Sequence, residues 1–409
     1  MQYRKDKKSG NELSVLGFGC MRFPRKGGRH SAGSQNFSAI DLKKTEQLLM
    51  EAVEQGVNYF DTAYLYPKSE ESVGTVFEKN NVREKVYIAT KLPLIFCHNR
   101  NDFDRFFTKS LDRLKTSYID YFLLHMLTNF NQWEQLRAWG VESWITEQKK
   151  LGKIRYIGFS YHGSLQEFLK IIDSYPWEFT QIQYNYSDEN FQAGITGLKK
   201  AAETMPVIIM EPLLGGKLAT GLPEKAVQLF KNANPTLSPA AWALNWIWNQ
   251  IEATVILSGM NTLEQLHENV QTANNAVPGL LSTEDMTVFQ KVREVLNSTY
   301  KIHCTGCNYC MPCSHGVNIP ACFSAYNTSF ALGMSLGMQQ YTTSTAVTSK
   351  QTHGASLCTK CGACETHCPQ HLPIREHLEQ VRKRMEPWWF RFGVRTARIF
   401  LGHSRAKNS

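Results

Sequence analysis

Val207-Ile208-Ile209-Met210 is apolar throughout, and Tyr121-Phe122-Leu123-Leu124 is interrupted by nothing more polar than one phenol. Short runs without alternation are what parallel strands buried on both faces require. Comparable runs occur at 15–20, 57–62, 86–91, 118–125, 154–160, 179–184, 207–210 and 253–258. Helix-length amphipathic stretches, such as 43–55, 102–114, 165–173 and 263–273, lie between them. Eight strand-then-helix units predict an α/β fold, a closed (β/α)8 TIM barrel. The competitor is an open doubly wound sheet, which favours a glycine-rich phosphate turn after its first strand. Here Gly17-x-Gly19 runs directly into Cys20-Met21-Arg22, so the full fingerprint is missing.

The rhythm stops near Asn297, and 298–303 reads as a linker. Beyond it lie nine of the chain's 11 cysteines, between Cys304 and Cys368. Eight of these form two runs, Cys304-x2-Cys307-x2-Cys310-x2-Cys313 and Cys358-x2-Cys361-x2-Cys364-x3-Cys368-Pro369. The second matches the bacterial [4Fe–4S] spacing position for position. Zinc is the alternative, but a structural zinc wants four ligands, commonly as two C-x2-C pairs, and each run overfills such a knuckle. One or two [4Fe–4S] clusters are expected, two being preferred. In two-cluster ferredoxins the fourth cysteine of each run serves the other cluster. That pattern assigns Cys304, Cys307, Cys310 and Cys368 to one cluster and Cys313, Cys358, Cys361 and Cys364 to the other. The first run departs from it, since Cys310 to Cys313 is one residue short and Ser314 replaces the proline. Cys20, Cys97 and Cys322 fall outside both spacings and read as buried thiols.

The 42% hydrophobic and 20% charged composition affords a sizeable core over 409 residues. No apolar stretch reaches the roughly 18 residues of a membrane span. The polar, basic start shows no secretory signal, so clustered thiols point to metal binding in a reducing cytoplasm. The net charge of +9 is concentrated at one end: 381–409 holds eight basic residues against the single acid Glu386. The body is therefore not a nucleic-acid-binding surface. The expected domains are a barrel over 1–297, a small, mostly helical ferredoxin-like iron–sulfur domain over 298–380, and a basic aromatic tail over 381–409. The Ser/Thr/Gln-rich piece 341–356 reads as a surface loop, and 330–338 as a helix. In the tail, Trp388 and Trp389 are expected to pack on the module, with contact to a membrane surface as the less favoured reading.

Catalytic groups of such barrels stand at the C-terminal ends of strands and just beyond. Those positions give Asp61, then Tyr66, Lys91 and His125. An acid, a phenol, an ammonium and an imidazole at one mouth make a proton-transfer group. Free phenol has a pKa of about 10, which a neighbouring Lys91 ammonium lowers. Asp61 holds Lys91 in place, and His125 donates to a carbonyl oxygen.

Asn58-Tyr-Phe-Asp61-Thr-Ala-x-x-Tyr66, Ala89-Thr-Lys91 and Leu123-Leu-His125 resemble the signature of aldo-keto reductases. The two halves together resemble a subgroup of that family with a C-terminal ferredoxin-type domain. The resemblance implies hydride transfer from NAD(P)H to a small carbonyl substrate, with Tyr66 as general acid. It also implies cofactor contacts at Ser160, at Gln183 with Tyr184, at Glu211, Leu213, Gly215 and Gly216, and at Ser258, Gly259, Met260, Gln265, Glu268 and Asn269. Members selective for NADP(H) carry basic residues after the last strand, where this chain has Met260, Asn261 and Gln265. NADP(H) is preferred and NAD(H) stays open. Pro67 departs from the glycine many members have there.

A nicotinamide gives up two electrons together, whereas a [4Fe–4S] cluster ordinarily takes one. A flavin usually splits the pair, and no flavin fingerprint is visible, so a bound flavin or an electron-carrier protein stays open. The competing readings are a nicotinamide-binding sensor and an electron-transfer subunit of a larger redox complex.

Overall fold

A computed structural model describes residues 1–26, 40–304, 306, 309–345, 352–368 and 370–400, without the side chains of 395 and 397–400. Of the residues singled out above, Cys307 and Pro369 lie outside the described set.

A short antiparallel hairpin, β1 (Tyr3–Lys5) with β2 (Glu12–Ser14), precedes the barrel. The eight strands are β3 (Leu16–Gly19), β4 (Tyr59–Asp61), β5 (Tyr87–Leu92), β6 (Ile119–Leu127), β7 (Ile154–Tyr161), β8 (Phe179–Gln183), β9 (Val207–Met210) and β10 (Ala253–Ser258). They pair in parallel in chain order, and β10 closes on β3. All eight expected runs became strands of this barrel, because each is buried on both its faces.

Side chains alternate along each strand. One face packs on the surrounding helices; the other fills the lumen with Tyr59, Ala89, Tyr121, Leu123, Phe179, Ile208, Val255 and Leu257. Leu13 of the hairpin joins that lumen cluster, and the Tyr121 hydroxyl donates to Asp6 at 2.8 Å. The hairpin therefore seals the N-terminal end. Two residues further along the same inward faces come Asp61, Lys91 and His125, which places these three at the C-terminal mouth. Gly17 leaves room for this packing: a Cβ there would stand 2.7 Å from both Val255 and Leu257.

The helix Thr283–Asn297 ends the barrel unit with a Ser282/Asp285 capping box at its start. The following module has its own core, in which Ile302, Phe323, Tyr341, Ile374, Leu378, Val381 and Met385 meet. Its longer helices are Ile319–Ala331, Met334–Ser344, Ile374–Met385 and Trp388–Phe400. The expected surface loop from 341 onward is corrected at its start. Gly333, at φ 103°, breaks one helix and begins another, which runs to Ser344 and buries Tyr341 completely. Gln340 and Ser344 of this helix are buried, so composition alone misread its end.

The module also packs on the barrel. Leu332 and Leu336 belong to the barrel's hydrophobic core. Among the described residues no helix is long and apolar enough to cross a membrane.

Candidate active site and cluster sites

Asp61 ends β4 and Lys91 stands on the adjoining β5. The Lys91 ammonium donates to both Asp61 oxygens at 2.7 Å and to the Thr62 carbonyl at 2.6 Å. Burial pushes Asp61 up and Lys91 down from their ordinary ranges, and each charge opposes the other's shift. Lys91 Nζ lies 5.1 Å from the centre of the Tyr66 ring. Tyr66 in turn meets His125 edge-on at 6.1 Å between ring centres.

The four catalytic types are thus brought together, with one change of sign. Burial first, then the charges of Asp61 and Glu211, hold the Tyr66 phenol well above its ordinary range, against the pull of Arg22. The expected lowering is reversed chiefly because burial disfavours the charged phenolate. Burial, followed by Lys91 and His162, holds His125 well below its ordinary range. His125 is therefore neutral, and its Nδ1 has no partner among the described residues.

Ser160, at the mouth end of β7, accepts from the Met126 amide at 2.8 Å. Gln183 accepts from Gln192 at 3.4 Å. Tyr184 points outward from β8, stacks near Trp246 at 5.1 Å and exchanges hydrogen bonds with Gln250. Past β9, Glu211, Leu214, Gly215 and Gly216 all adopt positive φ. Nothing lies within 4 Å of where a Gly216 Cβ would be, so the backbone there is open to a ligand's close approach. Leu213 immediately precedes this turn. At the end of β10, the Ser258 hydroxyl accepts from Asn269, and Gln265 accepts from the Asn261 amide. Met260 is in the barrel core beside Gly259, and Glu268 accepts from Thr272 through its carbonyl.

Several mouth residues escaped the sequence reading. Arg22 follows β3 in a short turn, Cys20–Arg22. Its guanidinium would lie 3.0 Å from a Cβ at Gly215, and its Cβ 3.8 Å from one at Gly259. It therefore bridges the loops after β9 and β10, where a dinucleotide's phosphates would need a cation. His162 comes directly after β7, and burial lowers its pKa to about 4. Gln192 donates toward His162 Nδ1, Gln183 and Ser344 of the module. Arg22 and His162 sit just past strand ends, and that position is a signal for both. Gln192, deep in a loop, gives none. Met126, Gln192 and Glu211 hold left-handed backbone, a strain that collects at functional sites.

In the module, Cys313, Cys358, Cys361 and Cys364 all line one cavity of about 380 Å³, together with Cys310. Cys313 and Cys358 both act electrostatically on Cys364, whose thiol is raised to about 11 chiefly by burial. Among the described residues no three His, Cys, Asp or Glu groups converge as a single ion would require. Thiols arrayed around a cavity fit a four-iron cube, which takes one thiolate per iron. Cys304 lines a second cavity of about 370 Å³, shared with barrel residues 187–192. Cys20, Cys97 and Cys322 are buried, each with its thiol pushed up by burial.

The sequence pattern of the Aldo/keto reductase family matches residues 15–294, and that of the 4Fe-4S dicluster domain matches 303–372. The chain belongs to the aldo/keto reductase family. It is 28% identical to the uncharacterized oxidoreductase YqkF of Bacillus subtilis over 67% of this chain and 92% of that one. It is 25% identical to Protein tas of Escherichia coli over 66% of this chain and 93% of that one. The aldo-keto reductase AKR11C1 of Bacillus halodurans superposes with a TM-score of 0.56 at 25% identity, covering 71% of this chain and 96% of that one. This aldo/keto reductase thus joins a barrel of the family's length to a [4Fe–4S]-type module.

Proposed function

We propose that this aldo/keto reductase reduces a small carbonyl compound with a reduced nicotinamide dinucleotide, NADPH in preference to NADH. When bound, the nicotinamide supplies the hydride that reaches the carbonyl carbon. The convergence of Tyr66, Lys91, Asp61 and His125 at the barrel mouth carries this reading.

Tyr66 delivers the proton to the carbonyl oxygen. Its raised pKa keeps the phenol protonated at neutral pH, ready to act as the acid. Lys91 places a positive charge beside the ring and favours the anionic character that Tyr66 gains as the proton leaves. Asp61 and the Thr62 carbonyl fix Lys91 in that position. His125 is neutral and directs the carbonyl oxygen by a ring N–H. Ser160 and Gln183 would hold the carboxamide, and the open turn at Gly215–Gly216 with Arg22 would hold the phosphates.

In the module, Cys313, Cys358, Cys361 and Cys364 would hold one [4Fe–4S] cluster on the crossed spacing pattern, at a cavity that Cys310 also lines. Cys304, Cys307, Cys310 and Cys368 would hold a second. The exposed Cys361 marks the face on which an electron-carrier protein would dock.

The test is reduction of a panel of small aldehydes by anaerobically purified protein, with NADPH or NADH. The reading expects turnover that falls about 10²- to 10⁴-fold in Tyr66→Phe while nucleotide affinity stays within twofold. Unchanged turnover in Tyr66→Phe would refute it.

A further inference from the structure

The Met334–Ser344 helix of the module presents Leu336, Gln340 and Ser344 along one stripe, four residues apart. Both ends of that stripe touch the barrel. Leu336 lies in the barrel core, and Ser344 accepts from Gln192 at 3.3 Å. Gln339, beside the stripe, donates to Glu211 Oε1 at 3.4 Å. Gln340 therefore sits between two anchored residues, on the side that faces the barrel mouth.

Gln340 is 7% exposed, and its Oε1 has no hydrogen-bond partner among the described residues. The same is true of His125 Nδ1, Gln192 Oε1 and Glu211 Oε2. Buried polar atoms are ordinarily paired, and four unpaired ones around one mouth call for a ligand that pairs them. Three of the four are oxygens, which only accept. The complementary ligand carries hydrogen-bond donors next to its reacting group.

We propose that Gln340, a residue of the iron–sulfur module, enters the carbonyl site of the barrel as a specificity-determining residue. It accepts from a hydroxyl adjacent to the carbonyl, so the site selects hydroxylated over plain aldehydes. This rests on the carbonyl-reductase reading for its chemistry and on the module's packing for its geometry. A site built to bind a hydroxyl discriminates strongly against the analogue lacking it, because its own polar groups are then left unpaired.

The experiment uses the full, cluster-loaded chain and two probe pairs. Glyceraldehyde and propionaldehyde are compared by kcat/KM, and their alcohols, glycerol and 1-propanol, by saturation-transfer NMR on the nucleotide-loaded protein. The expected result is a preference of at least tenfold for glyceraldehyde and stronger transfer to glycerol. Gln340→Met abolishes both preferences, with the visible cluster absorption intact. Gln340→Asn, which keeps the amide, gives the same comparison should the methionine variant fail to load clusters, and it retains part of each preference. Equal treatment of the two probes by the native chain overturns the proposal, as does a preference that survives in Gln340→Met. The two readings separate cleanly. Absent aldehyde turnover with a Gln340-dependent glycerol preference refutes the carbonyl reductase and supports the site. Tyr66-dependent turnover blind to Gln340 does the reverse.

Discussion

Lys91 spends all three of its N–H donors on Asp61 and Thr62, so it reaches Tyr66 by charge alone. An ammonium has three donors and no acceptor, and here none remains for the phenol. The pair is therefore fixed beside Tyr66 with no ammonium N–H left to bond its phenol.

That arrangement predicts asymmetric mutational costs. Removing one partner of a buried ion pair strands the other, at about 3–5 kcal/mol, whereas replacing both with apolar groups costs far less. Lys91→Met and Asp61→Leu should each lower the urea midpoint sharply, and the double variant should recover much of the loss. Equal, additive losses would show that the two residues do not depend on each other.

The two mouth histidines predict an acid-side loss of stability. Both His125 and His162 have folded pKa values below the ordinary 6.5, His162 at about 4. The unfolded chain therefore binds more protons just below 6.5, and stability falls with pH there. The contribution is fully present above about 6.5 and disappears progressively down to about 4 for His162. Urea denaturation from pH 7.5 to 4.5 should show this slope, and His162→Gln should flatten it by close to one proton. An unchanged slope in that variant would remove His162 as a cause.

Arg22 should matter for the dinucleotide and not for the chemistry. Its position between Gly215 and Gly259 predicts that Arg22→Gln weakens nucleotide binding about tenfold, with a reduced salt dependence. The rate at saturating nucleotide should stay within a few-fold. Fluorescence titration at two ionic strengths reads both quantities, and an unaltered Kd would place the phosphates elsewhere.

The cysteine spacing predicts crossed cluster ligation. Cys313→Ser and Cys358→Ser should perturb the same cluster's EPR signal, although they lie in different runs. Cys310→Ser and Cys368→Ser should perturb the other. Signals that sort by run, with Cys310 and Cys313 together, would contradict the crossing.

The barrel was legible because its physics is local. Runs such as Val207–Met210 need burial on both faces, and the residue two places beyond the lumen layer of a strand must face the mouth. Asp61, Lys91 and His125 followed from that rule, and His162 follows from the same rule one step further. The sign of the Tyr66 shift was not legible, because it depends first on how deeply the folded barrel buries the phenol, and then on the charges of Asp61 and Glu211. The end of helix 334–344, from Tyr341 on, was misread for a related reason. Its Gln and Ser residues look solvated in sequence, and only the packing of the module on the barrel shows that Gln340 and Ser344 are buried.

The most direct test of the central claim is isotope transfer. Cluster-loaded protein is incubated anaerobically with a reactive aldehyde and NADPH carrying deuterium at the transferable position, beside Tyr66→Phe. The account predicts deuterium on the carbinol carbon of the product at a rate about 10²- to 10⁴-fold lower in the variant. An alcohol product without deuterium, or equal rates in the two proteins, would contradict it.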